Sequence, residues 1–172
     1  MQPVKIAFVV LALTTVALSS AQLVGRVRIG YGVSGNFTLA DTSTGRLEGP
    51  EIGLDIPITL GMTPMKVYAS PSILLGGRMS NGSDTDGEVY RLLLTTRASA
   101  PGVGFYTFAG AGISFSKARG GQFSSSTDYE TVFGAGMPAA AFMIPNASFE
   151  VAWHSSPKGQ LRGLTLGIAG SF

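Results

Sequence analysis

Gly163-Leu164-Thr165-Leu166-Gly167-Ile168-Ala169-Gly170-Ser171-Phe172 alternates without a break. Leu164, Leu166, Ile168, Gly170 and Phe172 fall on one side, and Gly163, Thr165, Gly167, Ala169 and Ser171 on the other. Side chains of a strand alternate with period two, so one face is greasy and closes on an aromatic ring while the other is small and polar. Residues 50–60 repeat the pattern with charge added: Ile52, Leu54, Ile56, Ile58 and Leu60 oppose Glu51, Gly53, Asp55, Pro57 and Thr59. Pro57 lacks an amide donor and normally avoids central strands, which marks a bulge.

Working outward, a first strand spans about 23–34, with Val27, Ile29, Tyr31 and Val33 opposite Arg26, Arg28, Gly30 and Gly32. A third, about 65–77, is ambiguous, because Tyr68, Leu74 and Leu75 cannot share a face. A fourth, 88–97, sets Tyr90, Leu92, Leu94 and Thr96 against Arg91 and Arg97. The fifth, 105–115, sets Phe105, Ala109, Ala111, Ile113 and Phe115 against Tyr106, Phe108, Gly110, Gly112 and Ser114. The sixth, 129–143, sets Tyr129, Phe133 and Phe142 against Glu130, Val132, Gly134 and Gly136; the seventh, 148–154, sets Phe149, Val151 and Trp153 against Glu150, Ala152 and His154. The connectors alternate too. Residues 35–48, 78–87, 116–128 and 155–160 are polar and mostly long, whereas 61–64, 98–104 and the Pro145-Asn146 turn are short and contain proline. The fold class expected is all-β: an eight-stranded antiparallel up-and-down transmembrane β-barrel, with the long connectors extracellular and both termini periplasmic.

The other end of the chain fits export. Lys5 precedes an apolar run from Ile6 to Leu18, and Ser19-Ser20-Ala21 supplies small residues for cleavage after Ala21. Residues 1–21 thus read as a cleavable signal peptide and 22–172 as one domain. Without Lys5 the chain has 11 basic against 10 acidic residues, so the pI of 9.1 hides a balanced chain and no nucleic-acid stripe. Charged residues are 13% of the chain, about half the usual soluble share, and glycines number 24. There are no cysteines, hence no disulfides and no lipid-attachable thiol; no metal-ligand cluster or cofactor motif is present.

The layout resembles the small eight-stranded outer-membrane barrels of the OmpA/OmpX type. The final Thr165-x-Gly167-x-x-Gly170-x-Phe172 resembles the carboxy-terminal signal read by the barrel-assembly machinery, with Gly170 where that signal usually has a hydrophobic residue. The resemblance implies a bacterial outer-membrane location, outer-membrane lipid and the assembly machinery as partners, and a non-enzymatic structural or surface-interaction role through the loops.

Arg26, Arg28, Arg91, Arg97, Glu51, Asp55, Glu130 and Glu150 all take the inward face. Eight strands leave room for side chains only, so four cations and four anions there suggest a packed ion-pair network, with Arg28 and Asp55 as neighbours. A narrow ion path is the alternative. Outward aromatics suggest interfacial belts, with Phe105, Phe142, Phe149 and Phe172 toward the periplasm and Tyr31, Phe115, Tyr129 and Trp153 toward the exterior. His154-x-Ser156, with Glu130 on the neighbouring strand, resembles the His-x-Ser motif of the lipid A 3-O-deacylase barrels, departing from it at Pro157 and in an acid-free last strand. That resemblance implies an esterase in which His154 activates Ser156. A soluble lipocalin-like barrel, greasy inside, would instead bind an apolar ligand. The sequons at Asn36, Asn81 and Asn146 read as turn composition, and the glycine pairs 30/32, 110/112 and 134/136 as space for larger side chains opposite.

Overall fold

Backbone pairing turns the alternation into eight strands. The computed structural model describes residues 25–38, 44–58, 66–75, 78–79, 87–99, 104–118, 125–142, 144, 146–157 and 161–171. The strands are β1 (Arg26–Thr38), β2 (Thr44–Ile58), β3 (Val67–Leu75), β4 (Gly87–Ser99), β5 (Tyr106–Ala118), β6 (Ser126–Pro138), β7 (Ala147–Ser155) and β8 (Arg162–Ser171). A two-residue bridge, Arg78–Met79, pairs with Leu47 and Glu48 and prolongs β3 along β2. Each strand pairs antiparallel with its neighbour in sequence, and β1 also pairs β8 from Arg26↔Ser171 to Gly35↔Arg162. The sheet is therefore closed, without an edge strand left open. The expected signal segment 1–21, the turn at 61–64 and Phe172 lie outside the described residues.

The two faces separate as the alternation requires. Tyr129, Phe133 and Ile29 are 74%, 62% and 60% exposed on the outer wall, while Asp55, Glu130 and Arg91 are at most 3% exposed inside. A lipocalin-like barrel needs the reverse, so that alternative is corrected by the exposure of Ile52, Leu92, Leu94, Leu164, Leu166 and Ile168.

Three boundaries differ from the sequence reading. β1 continues to Thr38 and β2 begins at Thr44, so much of the polar stretch 35–48 is paired strand, with a register shift between Gly35 and Phe37. Residues 116–118 and 126–128 likewise belong to β5 and β6. Polar side chains do not stop a ladder from forming where both strands continue. The sixth strand ends at Pro138, and Ala139–Phe142 form a 3-10 turn, so Phe142 is not on a strand; its side chain lies outside the description. Pro138 has no amide to donate to a further rung of the ladder.

The prolines in strands occupy places where no donor is required. Pro57 faces Tyr68 of β3 and lies past Arg26, the first residue of β1, so its other side has no β1 partner. Pro71 sits where the β2–β3 ladder skips from Gly53↔Ser72 to Ile56↔Ala69. Asn146 takes a left-handed conformation, φ 59°, which asparagine tolerates in a turn, and its carbonyl accepts the Ser171 amide at 2.9 Å.

The ambiguous third strand resolves as Ser70, Ser72 and Leu74 inward, with Tyr68 in the same parity, and Leu75 on the other face. Leu74 then joins Leu47, Val89 and Leu161 among the fully buried apolar residues.

Candidate functional site

The functional chemistry of the chain lies in the barrel interior. All eight inward ionisable residues named from the sequence meet there. At the end of the barrel where β1 starts and β8 finishes, Arg26 Nη1 is 3.0 Å from Glu150 Oε1. Arg97 bridges two carboxylates, in close contact with Asp55 and 3.7 Å from Glu150. Arg28 Nε lies 3.3 Å from Asp55 Oδ1. Asp55 stands directly across from Arg26 in register, so the Arg28–Asp55 contact is diagonal. Toward the other end, Arg91 reaches Glu51 at 3.1 Å and Glu130 at 2.8 Å.

Hydroxyls, which the sequence reading left out, complete these pairs. Ser70 donates to Asp55 at 2.8 Å, and Ser72 and Thr165 donate to the two oxygens of Glu51, each at 2.8 Å. Ser114 donates to Glu130, and Tyr106 to Glu150. Buried carboxylates need several donors to offset lost hydration, and short hydroxyl side chains deliver them without filling the lumen. For Ser114, Thr165 and Tyr106 the signal was present in the sequence, in the inward parity of their strands; for Ser70 and Ser72 it was not, because the facing of the third strand was open.

Aromatic faces hold the guanidinium groups of one layer. Arg97 lies over Tyr68 at 4.8 Å and Tyr106 at 5.4 Å, and Arg26 lies over Tyr106 at 5.3 Å. The interior is also less polar than expected. Leu93, Phe108, Val132 and Ala152 form a buried apolar cluster with Tyr106 against it, so the ion pairs share the core with a hydrophobic patch. Glycines at 134 and 136 make room for this: a Cβ on either would fall on the ring of Phe108 or Tyr106. At Gly30 and Gly112 the close neighbour is instead a backbone carbonyl of the adjacent strand, which corrects the reading of those two as space for side chains; at Gly110 both the Leu94 carbonyl and the Thr95 side chain take the space.

His154 is buried inside. Its Nδ1 is 2.5 Å from Glu130 Oε1 and its Nε2 is 3.3 Å from Thr165 Oγ1. Ser156 is buried as well, and its hydroxyl accepts the Leu161 amide at 3.1 Å, bracing the β7–β8 connection. The sequence motif thus brings His154 to Glu130, but the imidazole nitrogen that would serve Ser156 turns to Thr165. Both side chains lie on the inward face, away from the outer wall.

A cavity of about 20 Å³ remains among Arg28, Glu51, Gly53, Glu150, Ala152 and Thr165, room for a single water. A larger one, about 380 Å³, opens at the end of the barrel that holds the strand termini. Of the outward aromatics, Tyr31, Phe115, Tyr129, Trp153 and Phe105 are exposed and Phe149 is partly so. Tyr31 stands in the body of the wall, across from Pro50 and Leu166.

No family profile matches the chain, and no curated protein does. Solved structures do. One is Ail, the attachment invasion locus protein of Yersinia pestis, at 18% identity over 86% of this chain and 97% of that one, with a TM-score of 0.50. The backbone structure of Ail in a phospholipid bilayer nanodisc gives 16% identity, 88% and 100% coverage and a TM-score of 0.51. The outer membrane protein OprG of Pseudomonas aeruginosa gives 12% identity, 86% and 95% coverage and a TM-score of 0.50. Together with the closed antiparallel order of its strands, these likenesses show that the chain has the fold of the small eight-stranded outer-membrane barrels.

Proposed function

We propose that this chain is an integral protein of the bacterial outer membrane, exported on residues 1–21, matured to residues 22–172, and acting without catalysis. Its role is structural or one of surface contact, made by the connectors that follow β1, β3, β5 and β7. The observation that carries the reading is the inverted burial. Among the described residues, fifteen large apolar side chains stand exposed on the strands, with Phe105 and Ile144 just outside them, while four arginines and four carboxylates are held within. In water each exposed leucine or isoleucine forgoes roughly 1.5–3 kcal/mol of burial, whereas hydrocarbon accepts the whole wall. The closed ladder pairs the backbone groups that hydrocarbon cannot solvate.

The interior then serves as a rigid plug rather than a conduit, because ion pairs and the Phe108 cluster fill it. The outward rings of Phe105, Phe115, Tyr129, Phe149 and Trp153 suit the interfacial levels of a bilayer. The alternating last strand ending at Phe172 suits recognition by the barrel-assembly machinery. Geometry speaks against the esterase reading, since Ser156 is engaged by Leu161 and His154 by Glu130 and Thr165.

The test is membrane fractionation joined to gel migration before and after boiling. An outer-membrane protein stays in the membrane pellet after urea washing and migrates faster unboiled. Recovery in the soluble fraction without detergent overturns the proposal.

A further inference from the structure

We propose that the barrel mouth at the strand termini binds a small phosphate-class dianion. The cavity of about 380 Å³ there is lined by Arg26, Lys66, Tyr68, Arg97, Ser99 and Tyr106. Three cationic side chains thus converge on one opening. Their counter-charges stand behind them: the Asp55 and Glu150 side chains are 1% and 7% exposed, against 13% for Arg26 and 11% for Arg97. The cations face the opening and the acids face inward.

The charges at this end do not cancel. Among the described residues, Arg26, Arg28 and Arg97 share two carboxylates, Asp55 and Glu150, and Lys66 adds a further cation at the rim. Further in, Arg91 pairs with both Glu51 and Glu130, and His154 also meets Glu130. Among the described side chains at this end the cations outnumber the carboxylates by two, one of them at the exposed rim.

Donors are also left over. Arg97 Nε is buried and makes no hydrogen bond among the described residues. The Arg97 guanidinium is stacked on Tyr68 and Tyr106, so its planar fork is held in place before any ligand arrives, while Arg26, whose Nη atoms donate to Glu150, Tyr106 and Ser148, contributes charge. A fixed fork suits the paired oxygens of a tetrahedral oxyanion. A dianion matches the surplus charge, where a carboxylate meets half of it. The volume admits inorganic phosphate or the phosphate end of a small phosphomonoester.

The test uses the folded barrel in neutral detergent at near-neutral pH, titrated with inorganic phosphate and followed by calorimetry. Saturable one-to-one binding is expected at millimolar or tighter affinity, weakening with added sodium chloride. Sulfate should compete, and acetate should compete roughly tenfold more weakly. Lys66→Gln, a change at an exposed residue, should weaken phosphate roughly threefold to fivefold without altering heat-modifiable migration. Arg97→Lys keeps the charge but loses the fork, and should weaken it roughly tenfold. Tighter binding of glycerol 3-phosphate than of phosphate makes a phosphomonoester the occupant; equal binding makes it phosphate itself. Absence of saturable binding, equal competition by acetate, or an unchanged affinity in Lys66→Gln overturns the proposal. None of these readouts depends on where the barrel resides in the cell.

Discussion

Replacing Arg91 by Met is the sharpest perturbation of the interior. The Arg91 side chain is 1% exposed and sits 2.8 Å from Glu130 and 3.1 Å from Glu51, whose side chains are 0% and 5% exposed. Met fills a similar volume, so little of the effect comes from a cavity. What remains is two buried carboxylates without their shared cation. Glu51 keeps Ser72 and Thr165, and Glu130 keeps Ser114 and His154, which spares the hydrogen bonds but not the charge. Removing one partner of a buried pair costs about 3–5 kcal/mol, and the loss here should fall in that range. It is a large share of the roughly 5–15 kcal/mol that holds a domain together. The assay is urea unfolding of the detergent-folded barrel, read by the emission of Trp153, the single tryptophan, and by gel shift. Adding Glu51→Gln and Glu130→Gln to Arg91→Met removes the stranded charges and should recover most of the loss. The reasoning is refuted if Arg91→Met costs less than about 1 kcal/mol, or if the triple variant is no more stable than the single one.

Three further outcomes follow from the same structure. Leu92→Arg, on the outer wall with Leu92 53% exposed, should destabilise the barrel in lipid vesicles by about 2–4 kcal/mol; a change within about 0.5 kcal/mol, as at an ordinary wet surface, contradicts the membrane reading. Gly134→Ala drives a methyl into the Phe108 ring and should cost about 1–3 kcal/mol, with part of it recovered by Phe108→Leu; an unaltered midpoint in Gly134→Ala says that the cluster has slack. Ser156→Ala removes the acceptor for the buried Leu161 amide and should lower stability by about 1–3 kcal/mol, while lipid A acyl content, measured by mass spectrometry of the membrane, stays as it was; altered acylation reinstates the esterase.

Period-two patterning carried much of the architecture. Once Ile52 and Leu54 oppose Glu51 and Asp55 on one strand, and Leu92 and Leu94 oppose Arg91 on another, only a sheet with a greasy wall and a charged middle satisfies both, and such a sheet must close. The inward ionisable set follows from the same parity, since a one-residue slip would expel every charge at once. Local pattern was weakest where polar strands outrun the apolar ones: the paired stretches 35–38 and 44–48 look like loop because Phe37 and Leu47 are their only apolar side chains and show no alternation.

Partner choice belonged to the tertiary structure. Strand parity says that Arg28, Arg97 and Asp55 point inward, yet their meeting depends on the shear of the closed barrel and on diagonal reach across it. The same closure set His154 against Glu130 and Thr165 rather than Ser156, because curvature decides which inward groups share a level, and adjacency along one strand does not. It also gathered Arg26, Lys66 and Arg97, from three different strands or their flanks, around one opening. Composition and alternation fix which way each side chain faces; only the closed geometry, through register and curvature, fixes what it meets there.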